Sequence, residues 1–291
     1  MEMFGNNFYR KAKAKRNVKK AITYIFLVVI SVIWLLPFVY LVLQSFNSVY
    51  DNGTRFAPLA GNWTFDNYVR LFTDTQYPFW KWFLNTLLIA IVTAILQTIL
   101  VLMTSYALSR LRFKGRQAIM KMILLLGMFP GFLSMIVIYE VLRIVGLQTS
   151  IYSLILIYCG SSAMNYYIAK GFFDTIPKSL DEAVYVDGGN KNTVFWKIIL
   201  PLSKPIIVYT VLISFMAPWG DYLMASYLAQ GDKNMMNVAV GLKMMLSYEV
   251  KTTYFTTFCA GAVVTSIPIM ILFFALQRYY VEGIAGGAVK G

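Results

Sequence analysis

The sequence predicts an all-α, polytopic membrane protein, because three features of its 291 residues agree. Hydrophobic residues make up 58% of the chain and charged residues only 13%, whereas a soluble domain devotes about 25% to charged residues. The apolar residues form six runs, each close to the roughly 20 residues that cross a bilayer as a helix. The basic residues are concentrated in the N-terminal segment and in alternate connections between the runs. We therefore expect six transmembrane helices.

The chain divides into a basic N-terminal segment (1–20), a transmembrane domain (21–277) and a short C-terminal tail (278–291). The expected spans, in order, cover about 21–44, 82–108, 122–139, 151–169, 205–220 and 254–277. The first span follows basic residues, as the apolar region of a signal peptide does. Its uncharged stretch is longer than such a region and has no small-residue cleavage site after it, so we interpret it as a retained helix.

The positions of the basic residues predict the orientation. Of the 26 Lys and Arg residues, 19 fall in segments 1–20, 109–121, 170–204 and 278–291. Basic residues are enriched on the cytoplasmic side of membrane proteins, which predicts that both termini are cytoplasmic. The formal net charge of +13 is then explained by orientation and by contact with anionic membrane lipid, and it does not call for nucleic acid as a partner.

Several classes of site are excluded by composition. The chain has no histidine, which removes His-dependent catalytic triads and the usual zinc sites. Cys159 and Cys259 lie singly in apolar runs and are expected to pack as small side chains. The two glycine-rich nucleotide-binding motifs, G-x-x-x-x-G-K-[ST] and G-x-G-x-x-G, are both absent from the sequence. We therefore expect no metal, no cofactor and no catalytic residue in this chain, which argues against a membrane-embedded enzyme.

The polar content of the spans argues against an ion-coupled secondary transporter. Such transporters carry their coupling ion on ionisable groups inside the bundle, and the middles of the six spans contain none. Asn85, Gln97 and Asn165 are weaker polar residues within the spans. They are candidates for a solute path, although hydrogen bonds between helices are the more common use of such residues.

The segment 170–204 is the longest cytoplasmic connection and has internal structure. The sequence predicts a short helix from Lys178 to Val186, ended by a glycine that can adopt the left-handed conformation. Asn190 or Asn192 can cap a second short helix, which continues through Leu200 before Pro201 stops it. Two such amphipathic helices could pack beneath the bundle without any further role.

The residues of this connection resemble a known motif, the EAA loop of ABC importer permeases. The loop contains the run Glu182-Ala183-Val184-Tyr185-Val186-Asp187-Gly188 and, nine residues later, Ile198-Ile199-Leu200-Pro201. The motif pattern has E-A-A, three residues, G, nine residues and I-x-L-P. The chain departs from it at Val184, where the second alanine is usual. Together with the span count and the C-terminal ending, the chain is similar to the smaller permease of maltose/maltodextrin transporters within the binding-protein-dependent carbohydrate family.

This resemblance implies a fold, a location and partners. The expected fold is that of a type I ABC importer permease in the bacterial cytoplasmic membrane. The expected partners are a second permease subunit in a heterodimer, a dimer of separate ATPase subunits, an extracytoplasmic solute-binding protein and a carbohydrate solute. A non-sugar solute remains an alternative. In that family the solute-binding protein contacts the outer loop that corresponds to 221–253. The segment that holds Trp63, Phe65 and Tyr68 is a second candidate contact, and anchoring of these aromatic residues at the membrane boundary is the alternative.

The resemblance also assigns roles to particular residues. It implies that Glu182, Ala183, Asp187 and Gly188 face the ATPase, whereas Ile198, Leu200 and Pro201 anchor the turn back into the membrane. It further implies that the glycine-rich tail reaches toward the ATPase dimer. The tail residues concerned are Gly287, Val289, Lys290 and Gly291.

Overall fold

The computed structural model describes residues 2–48, 63–128, 131–148 and 150–288, and within these ranges regular structure is helical. One isolated antiparallel bridge joins Asn47 to Trp63. The helices are α1 (Glu2–Ser45), α2 (Asp66–Thr73), α3 (Phe79–Arg110), α4 (Arg116–Gly127), α5 (Gly131–Ile144), α6 (Ile151–Gly160), α7 (Ala163–Asp174), α8 (Ser179–Val186), α9 (Lys191–Val194), α10 (Leu200–Leu202), α11 (Lys204–Gly220), α12 (Leu223–Ala229), α13 (Val238–Met244) and α14 (Lys251–Ala288). The all-α prediction is thus confirmed for the described residues.

Three described helices are long and apolar enough to cross a membrane by themselves. They contain the first, second and sixth predicted spans and lie within α1, α3 and α14. The segment Lys191–Leu202 and helix α11 together also meet this criterion, with a bend of 78° between them. The third and fourth predicted spans are each divided into two shorter helices, α4 with α5 and α6 with α7. The count of six spans and the orientation of the termini therefore remain predictions.

Helix α3 is central to the packing. It contacts α6, α7, α11 and α13, whereas α14 packs against α1, α2 and α11. The N-terminal half of α3 contributes Phe79, Trp82 and Ile89 to one buried cluster, which also includes buried side chains of the segment 221–253. Its C-terminal half contributes Val101 and Leu102 to a second cluster, built with α7 and the loop after it. One helix therefore joins the two cores of the chain.

The first cluster depends on a glycine that lies against an aromatic ring. A Cβ atom placed on Gly241 would lie 2.0 Å from Cε3 of Trp82, whose side chain is fully buried. We expect Gly241→Ala to destabilise the protein by roughly 1–3 kcal/mol, because the buried ring must move to make room. Thermal unfolding of the purified protein measures this. Gly171→Ala is the matched control, since a Cβ there meets nothing within 4 Å; equal melting temperatures for the two variants would contradict the expectation.

Candidate coupling site

The helix α8 presents most of its surface outward. Glu182, Ala183, Asp187 and Gly188, the four residues predicted to face an ATPase, are all exposed. The apolar side chain of Val186 is 87% exposed. Leu180 and Tyr185 on the same helix are also exposed, at 38% and 45%, so α8 presents several apolar side chains beside its carboxylates. A group of exposed apolar side chains, unlike a single one, is typical of a contact surface for another protein.

The end of α8 is fixed by backbone hydrogen bonds. Gly188 adopts a left-handed conformation with φ of 79°. The N–H of Gly188 donates to the carbonyl of Tyr185 at 3.1 Å, and the N–H of Gly189 donates to the carbonyl of Val184 at 2.8 Å. This pair of bonds is the Schellman ending of a helix, which uses a left-handed residue directly after the last helical turn. The predicted glycine ending is confirmed.

Gly189 is constrained for a different reason, which the sequence does not reveal. A Cβ at this position would lie 2.5 Å from Cγ1 of Val184 and 2.9 Å from the carbonyl oxygen of Val184. The Cγ2 atom of Thr193 would be 3.3 Å away. Gly189 therefore permits the close approach of the following helix to the end of α8.

The second helix of the loop begins at a capping box. The side chain of Asn190 accepts a hydrogen bond from the N–H of Thr193 at 3.0 Å, and the hydroxyl of Thr193 accepts one from the N–H of Asn190 at 3.3 Å. Of the two predicted caps, Asn190 is the one used. This reciprocal pair satisfies backbone donors that a helix start otherwise leaves unpaired.

The predicted stop at Pro201 is wrong, because the helical path continues two residues beyond Leu200. After α9, residues Phe195–Ile199 form a π-helical turn, which continues into α10 and ends at Leu202. The N–H of Leu200 donates to the carbonyl of Phe195, five residues earlier. The wider turn accommodates a proline within the helical path, so the chain bends only after Leu202. Single π-helical turns occur frequently at functional sites.

The residues that hold this turn against the bundle are Val194, Phe195 and Ile199, which are buried in the second cluster. The predicted anchors Ile198 and Leu200 are half-buried, and Pro201 is exposed. The buried residues recur at helical spacing, so the apolar period of the sequence indicates the correct face.

A buried ion pair connects α8 to the end of α3. The Nε atom of Arg110 lies 3.1 Å from Oδ2 of Asp181, and the two side chains are only 4% and 10% exposed. The Nη2 atom of Arg110 also donates to the carbonyl of Ile176 at 2.7 Å. One guanidinium therefore holds both the first turn of α8 and the chain that leads into it. Burial raises the pKa of Asp181, although the nearby Arg110 and Lys178 act in the opposite direction.

Two further hydrogen bonds from α3 reach the same loop. The hydroxyl of Ser109 donates to Oδ1 of Asp174 at 2.6 Å, and the hydroxyl of Tyr106 donates to the carbonyl of Lys191 at 2.8 Å. Together with Arg110, these residues contact the loop before α8, within it and after it. We name this set (Tyr106, Ser109 and Arg110) the α3 clamp. Sequence reasoning missed it, because its partners are 65 to 85 residues away along the chain.

The carboxylate of Asp174 has a pH dependence that the geometry predicts. Burial alone would raise its pKa, but hydrogen bonds from Lys170 and Ser109 outweigh this and hold it below the ordinary value of 3.8. A lowered folded-state pKa contributes stability that is present above the unfolded value and is lost as pH falls through the folded value. We expect Asp174→Asn to lower the melting temperature at neutral pH and to have progressively less effect below about pH 3.8.

Melting curves recorded across this pH range test the expectation. Asp187→Asn is the control, since Asp187 is exposed and has no described side-chain hydrogen bond or ion pair. If the melting temperatures of Asp174→Asn and the parent protein differ by the same amount at every pH, the expectation is contradicted.

The residues suggested for a solute path lie in different surroundings. The amide of Asn85 donates to the carbonyls of Asn234 and Met236 at 2.9 and 3.0 Å, so it holds the segment 221–253 against α3. The amide of Gln97 donates to the carbonyl of Tyr158 and to the hydroxyl of Ser162. Asn165 is half-buried on α7. Their role in solute passage remains a prediction.

The segment 221–253 is folded against the bundle. The buried side chain of Asn237 donates to the carbonyls of Pro218 and Asp221 at 3.0 and 2.7 Å and accepts from the N–H of Val240, which caps α13. The Nε1 atom of Trp82 donates to the carbonyl of Lys233 at 2.8 Å. Beyond α13, the side chain of Tyr248 is 88% exposed.

The tail lies at the limit of what the structure describes. Gly287 is within the backbone range of α14. The predicted contacts Val289, Lys290 and Gly291 are outside the described residues. Among the described residues, no group of His, Cys, Asp and Glu could hold a metal ion.

Comparison with known proteins identifies relatives along almost the whole chain. The maltodextrin transport system permease protein MdxG of Bacillus subtilis (strain 168) is 34% identical over 281 residues, covering 96% of this chain and 99% of the relative. The galactooligosaccharides transport system permease protein GanQ of the same organism is also 34% identical, covering 96% and 98%.

A solved structure shares the fold. One chain of a bacterial ABC transporter, described as involved in the import of the acidic polysaccharide alginate, superposes with a TM-score of 0.76 at 23% identity. The match covers 91% of this chain and 97% of that one.

A family model covers residues 101–286, the range that contains the α3 clamp, α8 and the π-helical turn. Its description is "binding-protein-dependent transport system inner membrane component". The match to this model and the relatives at 34% identity agree with the apolar helices of the structure. The chain is therefore a membrane protein that belongs to the family of binding-protein-dependent transport system inner membrane components.

Proposed function

We propose that this chain is one permease subunit of an ATP-driven, binding-protein-dependent importer of oligosaccharides. The observation that carries the proposal is α8, an exposed helix with an exposed apolar side chain and carboxylates, held rigidly from behind by the α3 clamp. If another protein displaces a helix that is arranged in this way, the displacement is transmitted to the membrane helices. Relatives with permease names for maltodextrin and galactooligosaccharides support a carbohydrate as the solute.

The transporter has four kinds of component in this proposal. A second permease pairs with this chain, a dimer of ATPase subunits supplies the energy, and an extracytoplasmic binding protein delivers the solute. Glu182, Ala183, Asp187 and Gly188 contact an ATPase subunit, and the tail with Gly287, Val289, Lys290 and Gly291 reaches toward the ATPase dimer. Hydrolysis of ATP takes place in those subunits and not in this chain.

The membrane arrangement is six spans with both termini cytoplasmic. In this arrangement, α4 with α5 and α6 with α7 are two broken spans, and α1, α3, α11 and α14 supply the other four. The excess of Lys and Arg in segments 1–20, 109–121, 170–204 and 278–291 supports the orientation. The outer surface around Tyr248 is then available to the binding protein.

The mechanism is alternating access. Closure of the ATPase pair on ATP moves α8 toward its counterpart in the second permease. The buried Arg110–Asp181 pair makes α3 follow α8, because separating these two groups would leave each charge without a partner in a buried position. The spans then open outward to receive the solute from the binding protein.

Reconstitution into proteoliposomes tests the proposal. The complete transporter is expected to take up labelled maltodextrin only with ATP inside and the binding protein outside. Uptake that continues without ATP, and stops when proton and sodium gradients are collapsed, would instead establish a secondary transporter. Competition with galactooligosaccharides and with non-sugar solutes then identifies the preferred class of solute.

A further inference from the structure

Two helix breaks lie side by side in the described structure. The first lies between α4, which ends at Gly127, and α5, which begins at Gly131. The second separates α6 from α7, between Gly160 and Ala163. A Cβ atom on Gly127 would lie 3.2 Å from the Cβ of Ala163, so the two breaks adjoin. Both fall near the middle of a predicted span.

Helix breaks leave backbone groups without partners. At the second break, the carbonyl of Tyr158 accepts from Gln97, and the carbonyl of Cys159 accepts from the hydroxyl of Ser162. The N–H groups of residues 163–165, the first turn of α7, donate to no other group in the described ranges. Within a membrane, such irregular backbone is tolerated only where it is buried in protein or lines a water-filled cavity.

A cavity of about 500 Å³ lies at these breaks and is lined from both sides. Ser134 of α5 and Ser161, which lies between α6 and α7, are part of its wall. Neither hydroxyl makes a hydrogen bond to another group in the part of the chain that the structure describes. Tyr166 adds an aromatic side chain, and none of the lining residues is Asp, Glu, Lys or Arg.

We infer that this cavity is this chain's part of the solute path and that it accepts a neutral, polyhydroxylated solute. This inference rests on the proposed function and specifies where the solute passes. Free hydroxyls and exposed backbone donors supply hydrogen bonds to sugar hydroxyls, whereas a carboxylated solute would call for a cationic residue that the wall does not contain. The same polar groups would be costly against lipid, so the open side of the cavity faces the second permease.

Cysteine labelling of the complete transporter in proteoliposomes tests the inference. In a background with Cys159→Ala and Cys259→Ala, Ser161→Cys is exposed to a small charged methanethiosulfonate reagent. We expect rapid modification, loss of uptake after modification, and slower modification when the transported oligosaccharide is present. Val28→Cys on α1 is the control, because α1 is an unbroken apolar helix, and it should react slowly. Ser134→Cys provides a second position within the cavity.

The outcomes separate this inference from the proposed function. If the parent transporter imports oligosaccharide with ATP but neither cavity cysteine reacts faster than Val28→Cys, the function stands and the cavity is not the path. Labelling that the solute does not slow would also overturn the inference. If the parent transporter imports no carbohydrate, the proposed function fails. In that case, the inference is also overturned if the two cavity cysteines react no faster than Val28→Cys. If they react faster, the cavity is a polar path for another solute.

Discussion

Arg110→Ala is expected to abolish ATP-driven uptake and to destabilise the protein by roughly 3–5 kcal/mol, the usual cost of removing one partner of a buried ion pair. The variant leaves Asp181 as a carboxylate with little access to water and removes the donor to the carbonyl of Ile176. The start of α8 then loses its attachment to α3. Melting temperature measures the stability, and uptake measured beside ATP hydrolysis reports the coupling.

Arg112→Ala is the matched control, because Arg112 lies two residues beyond Arg110, after the end of α3, is exposed and has no described carboxylate partner. A double variant, Arg110→Met with Asp181→Leu, separates stability from coupling, since replacing a buried pair by apolar side chains is often neutral for stability. We expect the double variant to fold, and the transporter that contains it to hydrolyse ATP in its ATPase subunits with reduced uptake. Normal uptake per ATP in the double variant would remove the clamp from the mechanism.

Gly188→Val is expected to eliminate productive contact with the ATPase while leaving the bundle folded. The left-handed conformation at this position costs a non-glycine residue roughly 1–2 kcal/mol, and a β-branched side chain is among the least suited to it. A Cβ there meets nothing within 4 Å in this chain, so the effect comes from the backbone and from the exposed surface. Uptake and co-purification of the ATPase subunits measure it.

Gly188→Asn distinguishes the backbone requirement from the surface requirement. Asparagine tolerates the left-handed conformation, so the ending of α8 should persist in this variant. We expect substantial uptake with asparagine and little with valine. Equal loss of uptake in both variants would mean that the ATPase needs the space above Gly188. Full uptake with both asparagine and valine would exclude any role for this ending.

Glycine and cap residues made the ends of the helices in segment 170–204 predictable. The left-handed glycine after α8 and the cap at Asn190 each depend on residues within one helical turn. Such local patterns can be predicted from the sequence. The π-helical turn was not, because a single wide turn has no distinct apolar period. Its effect was to move the helix end past Pro201, to Leu202.

The α3 clamp and the cavity cannot be predicted from such local patterns. Arg110 is one of five basic residues in its inner segment, and nothing in the sequence distinguishes it from its exposed neighbours. The break at Ser161–Ser162 lies inside a continuous run of apolar and small residues, so hydropathy reads one span where the structure has two helices. Tertiary partners such as Gln97 decide where that helix ends.

Helix α3 contains no proline, unlike α1, α11 and α14, and its 32 residues correspond to a length of about 48 Å. Its C-terminal end is fixed to the loop around α8, and its N-terminal end is fixed to the segment 221–253 through Trp82 and Asn85. A rod attached at both ends acts as a lever, so a tilt of about 10° would move the far end by about 8 Å relative to the near one. In the proposed transporter, a displacement of α8 by the ATPase would therefore also move the segment 221–253, which is proposed to meet the binding protein.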